Sequence, residues 1–250
     1  MTHSLRMAER ALVVRPLWLV YAWVAKAWWV LRRGFSARTV VFAQKGYLEG
    51  LIPREKNEAL LRLLEKTALK PVTQDDTASG YVFNEKSGDY AKDLEKDRFV
   101  YELKKEHLDL VRSVLEEASD TLERALGFSW RVVNVNFWRT AAGAPEKGFA
   151  VWHTDHFASG VMKLFVYVTG AGERIGTTQV RMPDGSTVLI EGPPGTWLLF
   201  DVSRRTHRGL TPLEGARILL QVTLVPAFRT DPTPVTAGSN ANYPKIPWVS

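Results

Sequence analysis

The second half of the chain alternates short apolar runs with turn residues. The runs are rich in valine, isoleucine, threonine and aromatic residues, which is typical of strands. Asp184-Gly185, between two of them, is a hairpin signal. Strands of this length and spacing predict a jelly roll or a small barrel. The predicted strands are Arg131–Arg139, Ala150–His153, Val161–Val168, Thr177–Arg181, Thr187–Ile190, Thr196–Phe200 and Ala216–Val225.

The first half has a helical pattern. Leucines recur at helical spacing between Pro53 and Leu69, and the stretch from Lys104 to Leu126 places its leucines and valines largely on one side. Residues 71–99 are polar and irregular and predict a surface loop region. We therefore expect a mainly β protein with helical additions (α+β), in which helices from the N-terminal half brace the β-core.

The N-terminal segment contains a helix that is apolar nearly all round. Pro16 stands where this helix is predicted to begin, and Arg33 where it ends. The apolar run from Leu17 to Leu31 spans 15 residues, which is shorter than the ~20 needed to cross a bilayer. No clear cleavage site follows, which argues against a signal peptide. Four of the nine tryptophans lie here, so docking on a membrane surface and burial against the domain or a dimer mate both remain open.

The charge of the 250-residue chain is concentrated in the same segment. The formal net charge is +6, and residues 1–44 hold seven arginines or lysines against one acid. An anionic surface or partner suits this segment, whereas a nucleic-acid site needs a basic face on the folded domain. The expected organisation is a basic, tryptophan-rich segment (1–44), a main domain (45–226, with helical support at 53–126 and a β-core at 131–226) and a proline-containing tail (227–250). We expect a cytoplasmic location, peripheral to the inner membrane if the helix docks there.

Two histidines and an aspartate form a candidate metal site. The chain has no cysteine, so a metal would take nitrogen and oxygen ligands. His153 and Asp155 are two residues apart, so on an extended strand their side chains share one face. With His207 they supply the donors of a 2-His-1-carboxylate triad, which holds Fe(II) and leaves positions open. Arg217, ten residues after His207, lies in an apolar strand where a guanidinium needs an anionic partner.

These residues stand in an ordered set of motifs between Asn136 and Pro226. The set resembles the Fe(II)/2-oxoglutarate-dependent oxygenase superfamily and, within it, the phytanoyl-CoA dioxygenase-like branch. The resemblance implies a double-stranded β-helix with His153, Asp155 and His207 on iron and Arg217 on the far carboxylate of 2-oxoglutarate. The matching pieces are Trp152-His153-Thr154-Asp155-His156-Phe157, Lys163–Val168, Gly195–Asp201, His207-Arg208-Gly209 and Gly215–Gln221.

Further polar residues are candidates for the pocket. Asn136 and Trp138 share a face of the strand before the first ligand, and Asn136 is a candidate cosubstrate or substrate contact, although a buried asparagine can equally serve backbone groups. Lys163 and Tyr167 share a face of the next strand, and either could line the pocket, with Lys163 as a further candidate for binding the cosubstrate. Alternatively, Lys163 reaches solvent and Tyr167 only packs. His156 is predicted to point to the opposite strand face from the ligands, in a supporting role.

The resemblance implies that O2 and 2-oxoglutarate are consumed to give succinate and carbon dioxide while an unactivated C–H bond is oxidised. An aspartate ligand favours hydroxylation over halogenation. The expected substrate is a small or amphipathic molecule, with lipid-linked compounds included because the N-terminal segment is aromatic and basic. Two alternatives are a cupin-like metal enzyme that does not use 2-oxoglutarate and a non-catalytic barrel protein with a binding role.

Overall fold

A computed structural model describes residues 3–34, 37–71, 98–144, 150–155 and 160–234, with side chains from Pro16 onward except Arg38. The helices in these residues are α1 (His3–Arg33), α2 (Ala37–Lys45), α3 (Arg54–Leu64) and α4 (Lys105–Leu126). The strands are β1 (Tyr47–Leu51), β2 (Leu69–Pro71), β3 (Arg98–Tyr101), β4 (Ser129–Ala141), β5 (Met162–Tyr167), β6 (Thr178–Arg181), β7 (Thr187–Leu189), β8 (Thr196–Asp201), β9 (His207–Gly209) and β10 (Ala216–Ala227).

The strands form two sheets within the described residues. The large sheet has seven strands in the order β1-β8-β5-β10-β4-β3-β2, and the small sheet has three in the order β7-β6-β9. Every strand pair in both sheets is antiparallel. Strands β4 and β5 lie on either side of β10 in the large sheet, whereas β6 lies in the small sheet, as expected when the chain winds between two layers. The prediction of a mainly β protein with a jelly-roll core and helical additions is confirmed.

The alternation along β4 shows how the two faces of the large sheet differ. Val135 and Phe137 are buried in the hydrophobic cluster that the sheet shares with α3 and α4. Asn134, Asn136 and Thr140 lie at the alternate positions and are also buried. Since side chains alternate across a strand, the polar set faces the other layer. Helices α3 and α4 therefore cover one face of the large sheet, and the polar residues of β4 lie on the opposite face.

Several predicted elements differ from those observed. The predicted strand Ala150–His153 is wrong, because only His153 pairs there, as an isolated bridge to His207. The prediction that the first helix begins at Pro16 is also wrong, because α1 begins at His3 and contains Pro16. The second predicted helix ends at Leu64 instead of Leu69, where the Thr67 hydroxyl donates to the carbonyl of Leu63 (2.7 Å).

Strands β1, β2, β3 and β9 have no counterpart in the sequence prediction. β1 and β2 occupy the two edges of the large sheet, and β9 is only three residues long. Such short strands are defined by their partners more than by a pattern of their own. The predicted loop from 71 to 99 lies outside the described residues except at its two ends, and so does the tail beyond residue 234.

Candidate metal centre

The three predicted metal ligands converge at one end of the small sheet. The ligand atoms of His153, Asp155 and His207 all lie within 4.8 Å of one another. His153 and His207 are held by two backbone hydrogen bonds, from His153 N to His207 O (3.0 Å) and from His207 N to His153 O (2.8 Å). Asp155 N donates to Val202 O (3.1 Å) just after β8. Sheet pairing therefore brings together residues that are far apart in the chain.

Both imidazoles have one ring nitrogen engaged by the backbone. His153 Nδ1 lies 2.8 Å from the carbonyl oxygen of Val151, and His207 Nδ1 lies 3.0 Å from that of Arg205. A neutral ring in this setting donates from Nδ1, so Nε2 is the nitrogen that would bind a metal. Burial lowers the pKa of His153, and it lowers the pKa of His207 to about 3. Both rings are thus neutral at physiological pH, which is the form that binds metal.

The carboxylate of Asp155 is buried and ionised. Burial by itself raises the pKa of Asp155, but the charge of Lys163, joined at low pH by those of protonated His207 and His153, outweighs burial and lowers the pKa to about 2. Asp155 Oδ1 lies 3.7 Å from His153 Nε2, whereas Oδ2 contacts the ammonium of Lys163. Oδ1 of Asp155 therefore faces His153, and Oδ2 faces Lys163.

These donors fit a divalent metal of the iron class. Two neutral imidazoles and one ionised carboxylate are the donors of a facial triad. Bonds of about 2.1 Å at right angles place neighbouring donors roughly 3 Å apart. The 3.7 Å separation between His153 Nε2 and Asp155 Oδ1 needs only a small inward movement to reach that spacing.

Arg217 is a buried cation on β10 near this centre. Its Nη1 donates to the carbonyl oxygens of Thr177 (3.0 Å) and Leu210 (3.1 Å), and its buried Nε has no hydrogen-bond partner. Burial lowers the pKa of Arg217 to about 10, so the group remains charged at neutral pH. No carboxylate of the described residues forms an ion pair with it. The guanidinium thus has donors available for an anionic ligand.

Arg98 is a second buried arginine that the sequence reasoning missed. It lies opposite Thr140 on β4, and Thr140 lies opposite Arg217 on β10. Its charge lowers the pKa of both His153 and Arg217. The signal was an arginine directly before the apolar run Phe99-Val100-Tyr101, which resembles the setting of Arg217.

The remaining candidates take separate positions on this face. Asn136 is buried opposite Gln221, and its Oδ1 has no partner among the described residues. Trp138 is half-buried on the same face of β4, and Lys163 lies against Asp155. Tyr167 is fully buried on β5, and burial raises its pKa to about 12. The prediction for His156 lies outside the described residues.

The chain resembles solved structures of non-heme enzymes. It superposes on HygX from Streptomyces hygroscopicus with nickel and 2-oxoglutarate bound (TM-score 0.55, 11% identity, 78% of this chain and 89% of that one). It also superposes on the alpha-ketoglutarate-dependent epimerase SnoN of nogalamycin biosynthesis (0.53, 13%, 76% and 81%) and on a Pseudomonas putida prolyl-4-hydroxylase (0.52, 12%, 76% and 98%).

The fold is that of the 2-oxoglutarate-dependent oxygenases. The sequence itself matches no family model and no curated protein. At these identities the similarity shows the fold alone, so any chemistry proposed for this chain has to rest on its own residues. The narrower resemblance to the phytanoyl-CoA dioxygenase-like branch stays a prediction.

Proposed function

We propose that this protein is an Fe(II)- and 2-oxoglutarate-dependent dioxygenase that hydroxylates an unactivated C–H bond. The observation that carries the proposal is the buried group His153, Asp155 and His207 beside an arginine with unused donors. The bound iron would supply the oxidising chemistry, in which 2-oxoglutarate, O2 and R–H give succinate, CO2 and R–OH.

The protein residues would bind and orient the reactants. His153 Nε2, His207 Nε2 and Asp155 Oδ1 would hold the metal, because the other ring nitrogens and Oδ2 already have partners. Lys163 would keep Asp155 ionised and fix which oxygen faces the metal. This role differs from the cosubstrate contact predicted for Lys163, although both remain proposals.

Arg217 would bind the carboxylate of 2-oxoglutarate that is remote from the metal. A guanidinium pairs with a carboxylate through two parallel hydrogen bonds, and the Nε–Nη2 edge is the part not used by the protein backbone. Asn136 and Trp138 would line the pocket on the neighbouring strand, with Asn136 Oδ1 as an acceptor for cosubstrate or substrate. The neutral side chains on this face would exclude water around the charged groups.

The proposed substrate is a small amphipathic molecule with an anionic group. Trp152, directly before the first ligand, has Arg181 and Arg208 over its ring at 4.5 and 4.9 Å. Arg208 also donates to Gln179 Oε1 (2.7 Å), so this cationic pair is held in place. SnoN and HygX have been solved with nogalamycin RO and hygromycin B, which are small molecules, and the proposed substrate class for this chain includes such compounds as well as lipid-linked ones.

The proposal is tested by anaerobic titration of the purified protein with Fe(II) and then 2-oxoglutarate. We expect one iron per chain and a visible charge-transfer band when the 2-oxo acid chelates the metal. Asp155→Ala should lose both signals. The matched control is Asp184→Ala in the exposed turn between β6 and β7, which should retain them.

The outcomes separate the proposed function from its alternatives. Stoichiometric iron with no response to 2-oxoglutarate would favour a metal enzyme that does not use this cosubstrate. Absence of stoichiometric iron in the wild type would favour a binding protein. Under O2, succinate formation that His153→Ala abolishes would support turnover.

A further inference from the structure

Helix α1 has two apolar faces, and among the described residues only one of them packs against the rest of the protein. Ala22, Ala25 and Trp29 are buried, and the helix packs against β4 and β10. The opposite side, here called the outer face, is exposed although its residues are large and apolar. The outer face consists of Leu17, Val20, Trp23, Val24, Trp28 and Leu31.

The exposure of this face is pronounced at its centre and at its end. Trp23 is 70% exposed and Leu31 is 82% exposed. Soluble proteins rarely leave a contiguous patch of this kind uncovered unless it binds something. Tryptophan is enriched at the membrane–water interface.

The charges around the outer face select an anionic partner. Between Glu9 and Glu49 the chain contains seven arginines or lysines and no acid. Arg32 and Arg33 are exposed at the end of α1, and Arg32 lies over the Trp28 ring at 5.4 Å. Lys26 points away from the outer face, over the ring of Phe128 at 5.2 Å, so the outer face itself is uncharged.

We propose that the outer face of α1 binds the surface of an anionic lipid bilayer. An apolar helix face bordered by arginines is the arrangement that lies in the bilayer interface, with the basic groups at the lipid phosphates. Among the described residues, no helix combines the length and the apolar character required to cross a membrane. The helix would therefore lie along the surface. The proposal is independent of the proposed activity.

The position of α1 connects this surface with the candidate metal centre. Lys26 is close enough to Asp201 and Arg204, at the end of β8 before His207, for their charges to affect its pKa, which burial lowers. A Cβ placed on Gly160, five residues after Asp155, would lie 3.8 Å from Ala22 Cβ. Binding through the outer face would thus hold the metal centre near the membrane.

The test is flotation of the full-length protein with vesicles of phosphatidylcholine alone or mixed with phosphatidylglycerol. We expect flotation with the mixed vesicles, weaker flotation as salt is raised, and little with the neutral ones. Trp23→Glu combined with Leu31→Glu should reduce the floated fraction at least about tenfold, since apolar contacts are replaced by negative charges that the anionic lipid repels. Arg32→Gln and Arg33→Gln should each weaken binding about fivefold, the equivalent of ~1 kcal/mol.

The control is Leu213→Glu, matched to each single change Trp23→Glu or Leu31→Glu, because it places one glutamate at an apolar residue that is 72% exposed in the loop before β10. It should float like the wild type. Circular dichroism and thermal unfolding should show that all variants are folded, because the changed side chains are exposed.

Three outcomes would overturn the proposal. One is equal recovery of wild type and Trp23→Glu/Leu31→Glu with anionic vesicles. Another is a wild-type dimer that this variant converts to a monomer while neither floats, which would assign the outer face to a second copy of the chain. The last is flotation that is indifferent to lipid charge and salt.

Discussion

Replacing Arg217 with methionine tests how this protein would recognise its cosubstrate. Methionine fills a similar volume but removes the charge and every donor. Because Nη1 already binds the carbonyl oxygens of Thr177 and Leu210, the Nε–Nη2 edge offers two hydrogen bonds to one carboxylate. Charge-assisted bonds contribute about 1.5–3 kcal/mol each, so their joint loss is at least ~3 kcal/mol. The Kd for 2-oxoglutarate should therefore rise at least about a hundredfold.

The measurement compares two ligands of equal chain length on the iron-loaded, anaerobic protein. In 2-oxopentanoate a methyl group replaces the remote carboxylate of 2-oxoglutarate. The wild type should prefer 2-oxoglutarate by at least about a hundredfold, and Arg217→Met should bring this preference close to one. Arg217→Lys keeps the charge but has no fork, so about a tenfold loss is expected.

The control is Arg174→Met, which removes an exposed arginine paired with Glu214 (3.1 Å) and should leave the preference unchanged. Iron content should be the same in all variants, because Arg217 does not contribute a metal ligand. A wild-type preference retained in Arg217→Met, or an equal weakening of both ligands, would contradict this role of Arg217.

Three further changes test the packing around the site and the helices. In metal-free protein, Asp155→Ala should cost about 3–5 kcal/mol of unfolding free energy, because it removes the carboxylate that pairs with the buried ammonium of Lys163. Adding Lys163→Met should restore most of this loss, and additive losses in urea unfolding would contradict the ion pair. Burial lowers the pKa of His107, so its contribution to stability is present above about pH 6.5 and falls as the pH is lowered. His107→Gln should therefore reduce the loss of stability in acid in the same urea assay, and an unchanged dependence of stability on pH would contradict this role of His107. Gly50→Ala should lower stability by about 1–3 kcal/mol, because a Cβ there would lie 2.3 Å from the Trp197 ring; a melting temperature equal to that of the wild type would show that the ring can move.

The sequence could predict those residues of the candidate site whose chemistry is unusual for their position or spacing in the chain. The two histidines and the aspartate could be picked out as the donor set of a facial triad, and Arg217 because a guanidinium in an apolar strand needs an anionic partner. Their backbone setting could not be predicted in the same way. His153 lies in an isolated bridge, and its position depends on pairing with a strand of three residues.

Lys163 was predicted as a pocket residue but its contact with Asp155 was missed, and Arg98 was missed altogether, because both depend on tertiary contacts. Lys163 is eight residues from Asp155, and nothing in that spacing indicates that their side chains meet. Arg98 stands at the edge of a polar stretch that predicts a loop, and only its register places it level with Arg217, with Thr140 between them. Local pattern thus identified the candidate metal ligands and Arg217, whereas the packing of strands determined which charges surround them.

The bridge between His153 and His207 has a consequence for the mechanics of the chain. It closes a loop of 54 residues (207 − 153) at the site where a metal would join the same two side chains. A bound ion would therefore act as a removable cross-link, restricting the unfolded chain as a disulfide does in proteins that have cysteine. Chelation should then open this junction to proteases well before the helix-covered face of the large sheet.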